Sequence, residues 1–269
     1  MLKRTAGYLA DRGCDTPRLD AEVLLAAVLG VERIALYTDH ERPLTTAETD
    51  TYRAFVARRG AREPVAYIVG HRGFRRIDLA VSPAVLVPRP ETELLVEWVI
   101  EVAPQAGAVL DWGTGSGAIA LALRDERPDL AVTGVDRSTD ALAVARSNDP
   151  GGSVEWVASD GFSALGARTF DVVAANPPYV AEAALAMLQP ELGFEPHGAL
   201  VSGPTGLEAL ERIAAEAPDH LVAGGWLLAE IGAGQAEAVT QSWERAGFGD
   251  VTVRSDLAGI RRTVGGRRP

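Results

Sequence analysis

The sequence predicts an α/β protein built on a doubly wound, mainly parallel sheet and preceded by a small helical bundle. Three observations predict it. From Gly107 onward, short apolar segments alternate with helix-length amphipathic ones. The first strand-to-helix junction of that region carries a run of glycines, in the position of the ligand crevice of open α/β sheets. The chain before Gly70 carries only helical spacing and helix punctuation.

The N-terminal segment justifies its helices one by one. Thr16-Pro17 reads as an N-cap followed by proline at the first helical position. Leu19, Val23, Leu24 and Val28 then recur at helical spacing, and Gly30 supplies a stop. Thr45 with Glu48 makes a capping box, Tyr52, Phe55 and Val56 share a face, and Gly60 ends that helix. Each helix is too short to be stable alone, so they are expected to pack together as a domain over residues 1–72. At Gly70 the texture changes. Residues 70–83 are punctuated by glycine and partly alternating, as a hairpin is, and residues 73–88 are expected to link into a domain spanning 73–269. Pro90 opens a helix with Glu91 and Glu93 in its first turn, and Leu94, Leu95, Trp98, Val99 and Val102 form its buried stripe. Strands are expected at 108–112, 130–136, 153–159, 170–176, 224–231 and 250–255, and helices at 118–126, 140–147, 207–217 and 236–247. The tail, residues 265–269, is expected to fray.

Composition bounds the function. In 269 residues, 47% hydrophobic and 23% charged content excludes a mainly disordered chain. No apolar run reaches the ~18 residues of a membrane-spanning helix, and the N-terminus lacks the apolar stretch of a secretory signal. Cys14 is the sole cysteine, so no internal disulfide or cysteine-based metal cluster is expected, in keeping with a reducing cytoplasm. His40, His71, His197 and His220 are scattered without ligand spacing, and no metal site is expected. The net charge of −11 argues against a nucleic-acid coat. It divides unevenly, +3 over residues 1–76 and −14 over the rest, which suggests two modules with different partners. Arginines 58, 59, 62, 72, 75 and 76 form either a solvated face or a mildly basic approach surface for an acidic protein partner.

The glycine junction is Asp111-Trp112-Gly113-Thr114-Gly115-Ser116-Gly117. Glycines let the backbone turn sharply and approach a ligand. The pattern also fits a dinucleotide-binding turn, and Asp136, at the end of the next strand, suits ribose hydroxyls. Both nicotinamide cofactors and S-adenosylmethionine carry that ribose. Asp160, after the following strand, could bind the exocyclic amine of adenine, with Gly161 and Phe162 beside the ring.

Asn176-Pro177-Pro178-Tyr179 decides between these chemistries. The prolines stiffen the turn and bias Asn176 away from the α region. The Asn176 side-chain oxygen and the Pro177 carbonyl can then converge as acceptors for both hydrogens of a planar –NH2 group, with Tyr179 packed on it. Methylating an amide or aromatic amine requires this: gripping both hydrogens aims the nitrogen lone pair at a methyl donor. A nicotinamide oxidoreductase has no use for it.

Taken together, residues 87–93 (VPRPETE), 111–123, 176–179, 194–200 (FEPHGAL), 203–213 (GPTGLEALERI), 229–235 (AEIGAGQ) and 256–262 (DLAGIRR) resemble the protein-(glutamine-N5) methyltransferases of peptide chain release factors. The resemblance covers nearly the whole chain. It implies a class I S-adenosylmethionine-dependent fold with a seven-stranded sheet, S-adenosylhomocysteine as product, and an N-terminal domain that grips the release factor. The substrate it implies is the glutamine of the Gly-Gly-Gln loop, and a monomer with no metal, membrane or stable nucleic-acid partner. It assigns Gly113 to Gly117 with Asp111 to the cofactor, Asp136 to its ribose, and Asn176 and Pro177 to the glutamine amide. Pro178 and Tyr179 wall the pocket. Arg89, Thr92 and Glu93 shape the roof or merely cap a helix, and Glu195 braces the pocket wall. Trp112, Gly161 and Thr205 depart from the family's usual residues; at Gly161 the ring-stacking role would pass to Phe162. Three rivals remain: a ribosomal-protein glutamine methyltransferase, a nucleic-acid amino methyltransferase and a non-catalytic cofactor-bound factor.

Overall fold

A computed structural model of the chain describes residues 1–39 and 41–269; His40 lies outside the described residues. The chain separates into two compact units. The first comprises Met1–His71 together with Gln189–Phe194, and the second comprises Arg72–Leu188 with Glu195–Pro269.

The first unit is helical: α1 (Leu2–Asp11), α2 (Pro17–Leu29), α3 (Ala35–Thr38), α4 (Thr46–Gly60) and α5 (Val65–Val69). Leu9, Leu24, Leu25, Tyr52 and Ile68 form its core, and the Tyr52 hydroxyl donates to the Ala21 carbonyl at 3.0 Å. The capping box forms: Thr45 Oγ1 accepts from Glu48 N–H, and Glu48 Oε2 accepts from Thr45 N–H. Thr16 precedes α2, but its hydroxyl donates to Asp20 Oδ1 rather than capping the backbone. The buried face of α2 also differs from the expected stripe. Leu19 is exposed, while Asp20, Ala21, Glu22, Leu24 and Leu25 are buried. Asp20 is inside because it pairs with Arg59 of α4, Nε to Oδ2 2.7 Å, and a buried charge is stable only when paired. Arg59 and Arg62 also hold Glu191 of the Gln189–Phe194 segment, at 2.8 and 2.6 Å. Gly60 ends α4 for a packing reason: a Cβ there would lie 2.6 Å from the Tyr8 hydroxyl.

The expected hairpin, β1 (His71–Phe74) and β2 (Ile77–Ala80), starts at the last residue of the first stretch and otherwise belongs to the second unit. A short 3-10 turn at Pro90–Thr92 leads into α6 (Glu93–Val102). Then follow β3 (Ala108–Trp112), α7 (Ala118–Glu126), β4 (Ala131–Asp136), α8 (Thr139–Ser147), β5 (Glu155–Ala158) and β6 (Phe170–Ala175). The chain continues through α9 (His197–Leu200), α10 (Glu208–Glu216), β7 (Leu221–Glu230), α11 (Ala236–Arg245), β8 (Gly249–Ser255) and β9 (Arg261–Arg267). Among the described residues, β3 to β9 form a seven-stranded sheet in the order β5-β4-β3-β6-β7-β9-β8. Pairing is parallel except that β9 runs antiparallel to both β7 and β8.

Successive strand residues point to opposite faces, and both faces are covered. Val109, Val172 and Leu228 face α6 and α7, whereas Leu110, Val173 and Leu227 face α10 and α11. The expected fraying of residues 265–269 is overturned. Gly265, Gly266 and Arg267 belong to β9, and Arg268 N–H donates to Gly225 O at 2.8 Å. Glycine serves here because a Cβ at 265 would lie 2.6 Å from the Trp98 ring. The strand order turns back between β3 and β6, which places a crevice beyond the carboxyl ends of β3, β4 and β6.

Candidate active site

A cavity of about 560 Å3 fills that crevice, within the roughly 300–1,000 Å3 typical of small-molecule sites. Its floor is the glycine junction. Gly113 and Thr114 N–H both donate to Val135 O at 2.9 Å, which ties the loop to β4. Gly117, with φ +84°, starts α7, and a Cβ on it would strike the Trp156 ring at 2.8 Å. Gly113 and Gly115 also have positive φ, and a Cβ on either would meet no atom within 4 Å.

Asp136 lines the cavity at the end of β4. Its Oδ2 accepts from Gly115 N–H at 2.9 Å and its Oδ1 from Ser138 N–H at 2.8 Å, so the carboxylate is fixed before any ligand arrives. Asp111 is placed differently. It is fully buried and does not line the cavity. Its Oδ2 accepts from Thr114 Oγ1 at 2.5 Å and from Ala120 N–H at 3.2 Å, joining loop to helix start. Burial raises its pKa to about 7. Asp111 therefore ties the loop to the helix start and lies off the cavity lining.

Asp160 and Gly161 line the cavity, but Phe162 does not. Phe162 is buried and stacks on His220 with ring centroids 4.7 Å apart, so it offers no ring to a ligand. Arg212 of α10 occupies the expected place instead. Its guanidinium donates to Asp160 Oδ1 at 2.8 Å and lies 2.9 Å from where a Gly161 Cβ would be. A larger residue at 161 is disfavoured by φ +63° and would have to displace that guanidinium.

Asn176, Pro177 and Pro178 line the cavity beside the glycine junction, since Ala175 of β6 pairs in register with Trp112 of β3. Asn176 Nδ2 donates to Thr92 Oγ1 at 3.0 Å, and Thr92 Oγ1 donates to Glu230 Oε2 at 2.6 Å. Tyr179 is not on the cavity lining; its hydroxyl donates to Glu230 Oε1 at 3.2 Å. Burial and the neighbouring Glu230 push the Tyr179 phenol well above its usual range, so it stays protonated. Burial likewise pushes Glu230 up to about 6. Arg89 and Glu195 pair with each other, and Glu195 Oε2 also accepts from Val87 N–H at 3.0 Å. That pair secures the strand-like segment leading to Pro90 and lies off the cavity lining. Glu93 accepts from Arg75 N–H at 3.2 Å, a fold contact.

Two residues escape a sequence reading. Glu230 ends β7 as Asp111 ends β3 and Asp136 ends β4, and an acid closing a buried parallel strand is the signal that marks it. Arg212 gives none, since it reads as the exposed i,i+4 partner of Glu216, a pair it also makes at 2.9 Å. Of the six arginines proposed as a basic surface, 58, 59, 62, 75 and 76 are each paired with a carboxylate of their own unit, which removes most of that surface's charge.

The chain matches the PrmC N-terminal domain over residues 1–70 and the methyltransferase small domain over residues 90–191. It is 44% identical over 270 residues to a release factor glutamine methyltransferase of Geobacter sulfurreducens, covering 99% of this chain and 95% of that protein. It is 42% identical over 260 residues to one of Salmonella typhimurium, covering 95% and 94%. Its fold is similar to a methyltransferase from Pyrococcus furiosus, with TM-score 0.54, 20% identity and coverage of 71% of this chain and 89% of that one. It is also similar to the T. thermophilus 16S rRNA N2 G1207 methyltransferase, with TM-score 0.55, 18% identity and coverage of 74% and 50%.

Proposed function

The chain belongs to the release factor glutamine methyltransferases, and from that membership we propose the reaction its own site performs. It transfers a methyl group from S-adenosylmethionine to the side-chain amide nitrogen of the glutamine in the Gly-Gly-Gln loop of a peptide chain release factor. One observation carries the reading: Asn176 and Pro177 share one cavity with the glycine junction and Asp136. An amine-gripping turn thus shares a space of small-molecule size with a nucleoside-type site.

The residues present fit the cofactor. The open space over Gly113 and Gly115 admits its amino-acid portion against the backbone, and the pre-fixed Asp136 carboxylate keeps lone pairs for two ribose hydroxyls. When bound, S-adenosylmethionine supplies an electrophilic methyl on a sulfonium centre.

The protein's part is to hold and orient. An amide nitrogen is a poor nucleophile because its lone pair is delocalised into the carbonyl. Asn176 Oδ1 and the Pro177 carbonyl, accepting both N–H hydrogens, fix the amide plane and favour pyramidal nitrogen as the new bond forms. Those acceptors also stabilise the positive charge that builds on nitrogen, which is then lost with one of its protons to water. No strong base is needed, because an N-alkylated protonated amide is a strong acid. The helical unit of residues 1–71 is the part we assign to gripping the release factor.

The test is label transfer. Purified protein is incubated with methyl-labelled S-adenosylmethionine and either release factor, the same factor with its loop glutamine changed to alanine, ribosomal protein or DNA. The reading expects label on the intact factor alone, and a loss of about a hundredfold to a thousandfold in Asn176→Ala with cofactor binding retained. Label on ribosomal protein or DNA, or full activity in Asn176→Ala, overturns it.

A further inference from the structure

The side chain of Asn176 has two ends of opposite character, and only one suits an –NH2 group. Which end faces the ligand is decided by Thr92, which lines the cavity beside Asn176, and by Glu230, which does not. Thr92 is 3% exposed and Glu230 1%. Both Glu230 oxygens receive hydroxyls, Oε2 from Thr92 at 2.6 Å and Oε1 from Tyr179 at 3.2 Å. A carboxylate can only accept, so the single hydroxyl hydrogen of Thr92 is given to Glu230. Thr92 Oγ1 then has only lone pairs for its other neighbour, 3.0 Å away on Asn176, and that neighbour must be the Nδ2 donor. Direction thus passes from Glu230 through Thr92 to Asn176, leaving Oδ1 as the end available to a ligand.

We propose that Thr92 and Glu230 are positioning residues that set the site's choice of amide over acid. They hold Asn176 with an acceptor toward the cavity, so the site takes the –NH2 of glutamine and repels the isosteric carboxylate of glutamate. The inference rests on the substrate reading above and adds to it a determinant that acts through Asn176, with Glu230 off the cavity lining. Were Asn176 reversed, its Nδ2 would meet the hydrogens of a glutamine amide and favour glutamate instead.

The experiment measures a ratio, so that every contact remote from the loop side chain cancels. Release factor with its loop glutamine, and the same factor with glutamine changed to glutamate, are titrated against enzyme saturated with S-adenosylhomocysteine. The wild type, Thr92→Ser, Thr92→Val and Glu230→Gln are compared, with cofactor affinity and melting temperature recorded for each. The wild type is expected to prefer the glutamine factor, and Thr92→Ser to keep that preference. Thr92→Val, which removes both the hydroxyl donor and the acceptor, is expected to lower the ratio by about tenfold or more. Glu230→Gln is expected to lower it too, because a glutamine can donate to Thr92 and let the chain of hydrogen bonds run either way. If Thr92→Val does not fold, Glu230→Gln carries the test alone.

A wild-type ratio in the folded variants overturns the inference and leaves the substrate reading standing. Equal weakening of both factors in Thr92→Val does the same, since it marks a merely structural role. A wild type that neither methylates nor prefers the glutamine factor overturns the substrate reading itself.

Discussion

Glu230 shows how one side chain serves orientation at the expense of stability. Its burial raises it from 4.5 to about 6, with Glu91 adding to the rise and Thr92, Tyr179 and Arg262 opposing it. The native state therefore holds this proton more tightly than the unfolded chain. The contribution of that proton to stability is complete below about pH 4.5 and is lost as pH rises through 6. At neutral pH the buried charge costs on the order of 2 kcal/mol. Glu230→Gln is expected to be the more stable protein at pH 7.5, with the advantage shrinking toward pH 4.5. Thermal melts at the two pH values check it, and an advantage that instead grows toward acid contradicts the assignment. Much of the site was legible at this scale. Asn176, Pro177, Asp136 and the glycines each sit in a short motif at a strand end, where backbone geometry dictates the residue. Phe162 was not legible, because an aromatic one residue past a turn can face either the cavity or the core, and here the ring of His220 draws it inward.

Elements end where a single contact forbids them to continue, and those contacts differ in how visible they are. The boundaries of α7, 118–126, follow from the sequence because Gly117 before it has a conformation that suits a helix start, and Asp111 satisfies a backbone N–H at its first turn. β9 was hidden for the opposite reason. Two glycines within a strand read as a breaker, yet here they admit a neighbour. Trp98 of α6 lies across Gly265, stacked under the Arg254 guanidinium at 4.2 Å and tilted against Trp226 at 6.5 Å. Gly265→Ala places a methyl 2.6 Å from that ring and 2.7 Å from Leu228, and overpacking of this kind costs about 1–3 kcal/mol. Urea unfolding is expected to show a lower midpoint with an unchanged slope; an unaltered midpoint means the ring moves aside freely.

For the molecule as a whole, the decisive feature is Glu191. Burial alone would raise its pKa, but hydrogen bonds from Arg62 and Arg59 outweigh that and hold it below the usual carboxylate range. The stability it supplies is present at neutral pH and is lost as pH falls below the ordinary value of 4.5. Glu191→Ala leaves Arg59, 5% exposed, with Asp20 as its remaining carboxylate, and is expected to cost about 2 kcal/mol. Hydrogen exchange checks it: protection should fall in α2 and α4, and unchanged protection there would sink the idea. A boundary placed once along the sequence could not reveal this. Periodicity reports what is local, and the partner of Arg59 lies 132 residues further on.

That separation has a consequence for biosynthesis. The helical unit is encoded before the second, yet its six-residue piece Gln189–Phe194 is encoded after β3 to β6 of the methyltransferase sheet. At a synthesis rate of roughly 5–20 residues per second, the buried arginine waits on the order of ten seconds on the ribosome for its second carboxylate. The N-terminal unit is thus the first to begin folding and cannot be the first to finish. A gene fragment cut after residue 71 encodes a bundle that never receives its last part.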